Sequence, residues 1–491
     1  MKNWTTLAAF SGALAALAGC ATGPDFPAPS PPRTTSCGEA VEERTVEARG
    51  PGGVSQKFDA KTDIPAQWWE LFRCEALDAS VREALESSPT MAQAAARLRQ
   101  AQEEYNAQAG STRYPAVDAG LLAKRQKVNP EAMGMENAPV PDPFAVYHAS
   151  ISVSYAFDLF GKDRRVLEGL KAQVDRREYE LEAARQTLAA NVVLTGIRQA
   201  ELERQLALAQ DIVSARAEQM EIARKREEAG GISIQDLERQ GMWLEQARAA
   251  LPALEKQHRQ VLRQMAVYRG REPAEAAGEP LELDALHLPG ELPAGLPSEV
   301  ARQRPDIRAA EAVWRRACAN VGVATANLYP QFTLTANLGS QETDVGDLLS
   351  AANVWSIGGE LMQPIFHGGA LRARKRAAVA AYDEAAAAYR ETVLRGLQEV
   401  ADALQAVEAD ARTLQARAAA ADHARAAREI AERQVEAGGL SRAAALEERI
   451  RQLQAEGERV QAQAARYADT AALFHALGGG WWNAGKGETP E

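Results

Sequence analysis

The same series of landmarks occurs twice along this chain of 491 residues, and this internal repeat is the strongest constraint on its fold. Tyr114-Pro115 in the first half corresponds to Tyr329-Pro330 in the second. Farther along, the segment EAGGIS at Glu228–Ser233 corresponds to EAGGLS at Glu436–Ser441. Proline lacks a backbone donor and favours extended geometry in the residue before it, so each Tyr-Pro pair is predicted to end a helix and start a strand. The chain is therefore expected to contain one structural unit twice.

Four short segments alternate between apolar and polar residues, near 115–124, 146–158, 330–339 and 353–365. In the second segment, Ile151 and Val153 have one parity, whereas Ser152 and Ser154 have the other. Alternation at every second residue is typical of a strand with one apolar and one polar face. Each segment has about the length of a tilted membrane-crossing strand. A soluble, half-buried sheet would show the same alternation, so the pattern alone leaves both structures open.

Two long helical stretches, near 162–229 and 370–437, contain no proline. At 1.5 Å per residue each would be on the order of 100 Å long. Each stretch reaches a glycine pair and a serine that can end one helix and cap the next, namely Gly230, Gly231 and Ser233 in the first half and Gly438, Gly439 and Ser441 in the second. Returning helices then follow near 233–269 and 441–477. The sequence therefore predicts two long helical hairpins, over 162–269 and 370–477.

Four strands are too few to close a barrel in lipid, where every unpaired backbone group at a sheet edge costs several kcal/mol. The missing strands must come from other copies of the chain. Two copies would give a barrel filled by its own side chains, whereas three copies would give twelve strands and an open lumen. The predicted fold class is thus mainly α with membrane β, as a trimer with a 12-strand β-barrel that continues into long periplasmic helices.

The N-terminus has the features of a bacterial export signal. Lys2 precedes a short apolar run that ends in LAGC at Leu17–Cys20, which resembles a lipobox. We expect residues 1–19 to be a lipoprotein signal peptide, Cys20 to be lipidated, and residues 20–66 to form an acylated, proline-rich arm or tether. Cys37 and Cys74 either form a disulfide in an oxidising periplasm or remain two unpaired thiols, and the sequence does not decide between these states.

The remainder of the chain divides at its landmarks. A helix from Trp68 to about Gly110 opens the first structural repeat, 67–270, which is followed by a connector rich in proline and glycine at 271–297. The second repeat is predicted at 298–477 and a C-terminal tail at 478–491. Arg304, Pro305 and Asp306 are interpreted as a structural helix start, because Pro305 suits the first turn and Asp306 places a carboxylate near the positive end of the helix.

Composition and motifs argue against several classes of protein. The net charge of −11 disfavours nucleic acid as a partner. The six histidines are scattered, and the sequence contains no HExxH motif and no Walker or Rossmann glycine pattern. We therefore predict a protein that is not an enzyme, with no catalytic residue, no metal site and no cofactor.

Several longer stretches carry a resemblance to a known family. They are LAGC at 17–20, SYAFDLFG at Ser154–Gly161, QPIFHGG at 363–369, the EAGG turn in both halves, and RQRPDIRAAEAVWRRACANVGVATANLYPQFTLTANLG at 302–339. The sequence resembles the outer-membrane efflux protein family, the TolC-like channels, and in particular their lipid-anchored drug-efflux branch. The resemblance covers nearly the whole mature chain and is most specific in the 302–339 block.

The resemblance implies a homotrimer in the cell outer membrane, in which twelve helices form a periplasmic α-barrel below the twelve-strand β-barrel. It further implies a passive channel for drugs or other toxic compounds, which arrive from an inner-membrane efflux pump of the RND type through a periplasmic membrane-fusion adaptor. The two glycine turns would be the adaptor-docking tip, and Asp410, Asp422 and His423 would be candidates for the pore constriction. The alternative is a lipid-anchored periplasmic coiled-coil scaffold without its own pore.

The lipobox generates a direct prediction about Cys20. Replacing its thiol in Cys20→Ser removes the acceptor for the lipid, while the strands that would form the barrel are unchanged. We expect the variant to lose labelling by radioactive palmitate and still to form membrane-inserted trimers. Labelling that persists in Cys20→Ser would show that the lipid is attached elsewhere.

Overall fold

The computed structural model describes most of the chain, at residues 22–27, 29–30, 34, 42–59, 62–127, 129–130, 134, 139, 142–276, 281–294, 297–350 and 352–484. Cys20, the predicted signal peptide and Cys37 lie outside these residues. The chain divides into two compact units. The first unit contains the described part of Met1–Ala28 with Leu98–Arg177 and Ala310–Tyr389, and the second contains the described parts of Pro29–Arg97, Glu178–Ala309 and Arg390–Glu491.

The described residues are mainly helical. Their α-helices are α1 Glu75–Ser87, α2 Pro89–Arg113, α3 Lys162–Glu228, α4 Ile234–Tyr268, α5 Pro297–Gln303, α6 Pro305–Ala326, α7 Ala370–Glu436 and α8 Arg442–Ala476. The helices α3 and α7 each have 67 residues, and α4 and α8 each have 35. None of the helices in this part of the chain is both long enough and apolar enough to cross a bilayer.

The strands are β1 Lys57–Asp59, β2 Ala116–Gln126, β3 Phe144–Phe157, β4 Glu291–Pro293, β5 Gln331–Glu342 and β6 Val354–Met362. In the first unit, β2, β3, β5 and β6 form an antiparallel sheet in that order, so that β2 and β6 are its edge strands. In the second unit, β1 pairs with β4 in parallel. Each of the four alternating segments of the sequence overlaps one strand of the antiparallel sheet.

The helical segment predicted from Trp68 to about Gly110 is divided in the structure. Trp68–Phe72 is a short 3-10 helix, and α1 and α2 are separated at Ser88-Pro89. Ser88 has the extended angles φ −65° and ψ 130°, which is the geometry that a following proline favours. The break therefore has a local cause that the helical pattern did not reveal.

The hydrophobic core of the second unit is built around an aromatic cluster. Trp68 is fully buried, its ring stacks on Phe474 with centroids 5.7 Å apart, and Phe72 meets it edge-on. The indole Nε1 of Trp68 donates to Gln186 Oε1 at 3.3 Å, so the polar atom of this buried ring is satisfied. Packing of this kind joins α3 and α8 with the short 3-10 helix in front of α1.

The triplet Arg304-Pro305-Asp306 stands at the junction of α5 and α6, with Pro305 as the first residue of α6. The buried Arg304 guanidinium donates to both carboxylate oxygens of Asp306, at 3.0 and 2.7 Å, and to the carbonyl oxygen of Ala476 at 2.8 Å. It also forms an ion pair of 2.6 Å with Glu399. These contacts fix the start of α6 against α7 and the end of α8.

Candidate functional site

The antiparallel sheet has one apolar and one polar face. Residues that are directly opposite each other on neighbouring strands share a face. One such row contains Ala119, Ile151, Leu338 and Trp355, and the neighbouring rows of the same face continue with Val117, Val153, Ala336 and Ile357 and with Phe157, Phe332 and Leu361. The opposite face contains the row Asp118, Ser152, Asn337 and Ser356. The alternation of apolar and polar residues in the sequence therefore gives the four-stranded sheet one apolar face and one polar face.

The described residues of the chain leave the apolar face uncovered. Leu121 is 80% exposed, Trp355 is 77% exposed and Ile357 is 68% exposed. A contiguous apolar surface of this kind marks contact with lipid or with another protein surface, because water would otherwise have to solvate it. The edge strands β2 and β6 each have one neighbour in the sheet, so each presents a row of backbone donors and acceptors that needs a further strand.

The first glycine turn connects α3 to α4. Gly230 has a positive φ of 72°, which a residue with a side chain adopts only at a cost, and the Gly231 N–H donates to Arg226 O at 2.6 Å. The Ser233 hydroxyl accepts from the Asp236 N–H at 3.1 Å and caps α4. The chain reverses direction here, and the backbone N–H groups of Gly231 and Asp236 both have hydrogen-bond acceptors.

The second glycine turn, between α7 and α8, has the same construction. Gly438 has a φ of 74°, and the Gly439 N–H donates to Gln434 O at 2.8 Å. The Ser441 hydroxyl accepts from the Ala444 N–H at 3.3 Å. Both turns therefore combine a left-handed glycine, a second glycine whose N–H donates, and a serine cap.

Two ionic contacts near these turns were not predicted from the sequence. Arg442, the first residue of α8, contacts Glu218 of α3 at 2.7 Å, and this hydrogen bond lowers the pKa of Glu218. Arg216 of α3 contacts Glu447 of α8 at 2.8 Å. The partners are more than 220 residues apart in sequence, so no local motif links them. The contacts join the first long helix to the returning helix of the second hairpin.

The three candidates for a constriction lie in different surroundings. Burial and the neighbouring carboxyl of Asp469 raise the pKa of Asp410 to about 7, and the buried guanidinium of Arg466 opposes this shift. Asp422 pairs with Arg425 at 3.1 Å along the same helix, and His423 is exposed. Asp410 lies about seven helical turns before the end of α7 at Glu436, whereas Asp422 and His423 lie closer to the glycine turn.

The described residues contain no group of three or more His, Cys, Asp or Glu side chains that could hold a metal ion. Cys74 and Cys318 are buried free thiols. The suggested partner of Cys74, Cys37, lies outside the described residues.

The raised pKa of Asp410 predicts a pH-dependent stability. The folded chain holds this proton more tightly than the unfolded chain, so the contribution of Asp410 to the free energy of unfolding falls as the pH rises from about 4 to about 7. In Asp410→Asn the amide cannot ionise, and its NH2 group can donate to the neighbouring carboxyl of Asp469. We expect the variant to have a higher melting temperature than the parent at about pH 8 and no such advantage at about pH 4.

Melting of the detergent-solubilised protein, followed by circular dichroism, measures this difference. Asp422→Asn is the matched control, since its carboxylate pairs with an arginine in place of a second acid. An advantage of Asp410→Asn that is the same at both pH values would contradict the raised pKa of Asp410.

The sequence matches a family of known proteins and several of its members. The family described as "Outer membrane efflux protein" matches residues 80–271 and 296–479. The pyoverdine export outer membrane protein OpmQ of Pseudomonas aeruginosa is 31% identical over 424 residues, which cover 84% of this chain and 87% of that protein. The toluene efflux pump outer membrane protein TtgC of Pseudomonas putida is 29% identical over 363 residues, with 73% and 71% of the two chains covered.

Solved structures show the same fold. The outer-membrane channel OprN matches with a TM-score of 0.78 and 26% identity, over 94% of this chain and all of that chain (100%). The outer membrane channel CmeC of Campylobacter jejuni matches with a TM-score of 0.82 and 21% identity, over 94% of this chain and 95% of that chain, and at this identity it shows the fold alone.

Proposed function

The chain belongs to the outer membrane efflux protein family, and we propose that it is the outer-membrane exit duct of an efflux system. In this role it conducts small molecules passively from an inner-membrane pump to the exterior. Relatives are named for export of pyoverdine and for efflux of antibiotics and toluene, so the cargo of this chain belongs to the same broad class of small, chemically varied compounds. Passive conduction needs no catalytic residue and no cofactor.

The exposed apolar face of the sheet is the observation that carries this proposal. A surface that contains Leu121, Trp355 and Ile357 is stable in lipid and costly in water. The edge strands β2 and β6 cannot remain unpaired in lipid, so sister chains must extend the sheet until it closes. Three copies supply twelve strands, which leave an open lumen lined by the Ser and Asn side chains of the polar face.

The two helical hairpins continue the duct into the periplasm. Each chain has two helices of 67 residues that begin shortly after β3 and β6, and a helix of this length rises about 100 Å. Together with α4 and α8, three copies supply twelve helical strands of an α-barrel. The equal lengths of α3 and α7 and of α4 and α8 support an internal two-fold repeat with one strand pair and one hairpin in each half.

The glycine turns are proposed as the surface that meets a periplasmic membrane-fusion adaptor. Both turns are exposed, and each lies at the far end of a long helix that begins shortly after a strand of the antiparallel sheet. The adaptor would connect the duct to an inner-membrane pump of the RND type. The ionic contacts Arg442–Glu218 and Arg216–Glu447 hold α8 against α3 beside these turns, and Asp410, Asp422 and His423 remain candidates for a constriction.

Extraction and conductance test the proposed duct. The Cys20→Ser variant should still require detergent for release from outer membranes, because its lipid contact comes from the sheet. It should migrate as a trimer in gels without boiling and give discrete conductance steps in planar bilayers. A Cys20→Ser chain that dissolves in buffer as a monomer and gives no conductance would overturn the duct and favour a lipid-anchored scaffold.

The glycine turns give a second test. Proline at position 231 or 439 removes the N–H that donates to Arg226 O or Gln434 O, and so opens the turn. We expect Gly231→Pro and Gly439→Pro to reduce crosslinking to the adaptor and tolerance to exported drugs, while trimers remain in the membrane. Gly439→Ala keeps the N–H, and its Cβ would lie 3.7 Å from Gln434 O, so it provides the matched control. Unchanged adaptor crosslinking in both turn variants would count against docking at these turns.

A further inference from the structure

The strands of the antiparallel sheet continue into helices. The helix α2 leads into β2 and α6 leads into β5, whereas β3 leads into α3 and β6 leads into α7. Because neighbouring strands are antiparallel, all four helices adjoin the same end of the sheet. The helices α2 and α7 continue the two edge strands, so each of them extends an edge that the described residues of the chain leave unpaired.

The inner strands show how a strand pair continues into a pair of helices. Phe157 of β3 is directly opposite Phe332 of β5. Gln173 of α3 and Arg316 of α6 are equally far along the sequence from these two residues. The Arg316 guanidinium donates to Gln173 Oε1 at 2.7 Å. The register of the two strands is therefore kept in the contact between α3 and α6.

Small residues let these two helices approach closely. A Cβ on Gly169 of α3 would lie 3.6 Å from the Cβ of Ala319 in α6, which is ordinary van der Waals contact. Farther along α3, Asp175 pairs with Arg315 of α6 at 3.3 Å. The contact thus combines a close approach of the two backbones with a neighbouring ion pair.

The internal repeat places an equivalent contact at the edges of the sheet. The two Tyr-Pro pairs align α2 with α6, and the helices α3 and α7, of 67 residues each, align from their first residues. In this alignment Gly169 corresponds to Ala377 of α7, and Ala319 corresponds to Glu104 of α2. Since α2 and α7 continue opposite edges of one sheet, the counterpart contact between Ala377 and Glu104 forms between two copies of the chain.

The charges at this position are complementary. Glu104 is exposed, and its carboxylate accepts from the Gln100 amide of the same helix at 2.8 Å. Arg374 and Arg376 are exposed beside Ala377, and neither has an acidic residue three or four positions away along α7. The first turn of α7 also contains no acidic residue. Cations near the positive end of a helix are unfavourable unless an anion lies close to them.

The opposite ends of the edge strands carry a second complementary set. The strand β2 closes with the exposed residues Lys124 and Arg125. The loop before β6 contains the exposed residues Asp344 and Asp347. Since β2 ends and β6 begins at the end of the sheet away from the helices, pairing of β2 with β6 of another copy brings the two cations towards the two acids.

We propose that copies of this chain join at a charge-matched seam, in which Glu104 of one copy lies between Arg374 and Arg376 of the next. This inference rests on the proposed trimeric duct. Hydrogen bonds from arginine to a carboxylate have a defined geometry, so they specify the position of one helix along the other. A slip of two turns along α7 would bring Glu104 to Glu384, where like charges repel. The seam therefore sets the register in which copies join.

Paired cysteines test this register. Glu104→Cys combined with Ala377→Cys places a thiol on each side of the seam, and a disulfide forms only where the Cβ atoms approach to about 4 Å. Outer membranes are treated with copper phenanthroline in air, which oxidises the paired thiols. We expect dimers and trimers that survive boiling without a reductant.

A shifted pair is the matched control. Glu104→Cys combined with Glu384→Cys uses the same face of α7, about 10 Å farther along the helix, and should give a roughly tenfold lower yield of crosslinks. The single variants Glu104→Cys, Ala377→Cys and Glu384→Cys retain the native cysteines and measure the background.

Exchange of charge tests the chemistry of the seam. Glu104→Lys places a cation between the two arginines, so we expect its trimers to dissociate in gels at a lower temperature than those of the parent. Glu103→Lys is the matched control, because it makes the same change of charge one residue away, about 100° around α2. Glu104→Lys combined with Arg374→Glu and Arg376→Glu restores opposite charges and should recover the dissociation temperature of the parent.

The outcomes separate the seam from the duct. If trimers form and conduct but position 377 gives no more crosslinks than position 384, the seam is wrong and the duct stands. Equal losses of trimer stability in Glu104→Lys and Glu103→Lys, or no recovery in the charge-exchanged chain, also overturn the seam. A parent chain that neither forms trimers nor conducts overturns both proposals. If Glu104→Lys prevents assembly, the cysteine pairs and the charge-exchanged chain still decide.

Discussion

Backbone pairing at the two edges of a four-stranded sheet is the constraint on which the rest of this structure depends. We propose that the exposed apolar face of the sheet requires lipid, where the free donors and acceptors of β2 and β6 require partner strands. A single chain satisfies neither requirement. Since α3 and α7 begin within a few residues of the ends of β3 and β6, the arrangement of the strands also fixes where the long helices start.

Features that depend on local periodicity, such as the two faces of the sheet, could be predicted from the sequence. The alternation of Ile151 and Val153 with Ser152 and Ser154 predicted the two faces of the sheet, because side chains along a strand change faces at every residue. The family and its mainly helical fold were also identified, through the 302–339 block and the EAGG turns. The break at Ser88-Pro89 was missed, since a helix that resumes directly after a proline keeps its apolar pattern.

Contacts between segments that are distant in sequence could not be predicted from local periodicity. Arg442–Glu218 and Asp410–Asp469 join residues that no motif connects, because each helix is so long and so rich in charge that many pairings would be equally compatible with its pattern. Only the packing of the hairpins selects among them. The raised pKa of Asp410 follows from such packing, because burial beside a second carboxyl makes the ionised pair unfavourable.

Buried arginines supply hydrogen-bond donors to the backbone of the irregular segments that pack against the long helices. Helices and strands pair their own backbone groups, whereas extended segments need donors and acceptors from elsewhere. Arg165 contacts Thr22 O and Asp25, and Arg304 contacts Ala476 O at the end of α8. Arg466 is fully buried and donates to Val54 O and to the Thr45 hydroxyl. The planar guanidinium has several donors in fixed directions, so one side chain on a rigid helix can hold several atoms of a segment without regular structure. Arg165 and Arg466 thus hold irregular segments near the N-terminus, and Arg304 holds the end of α8.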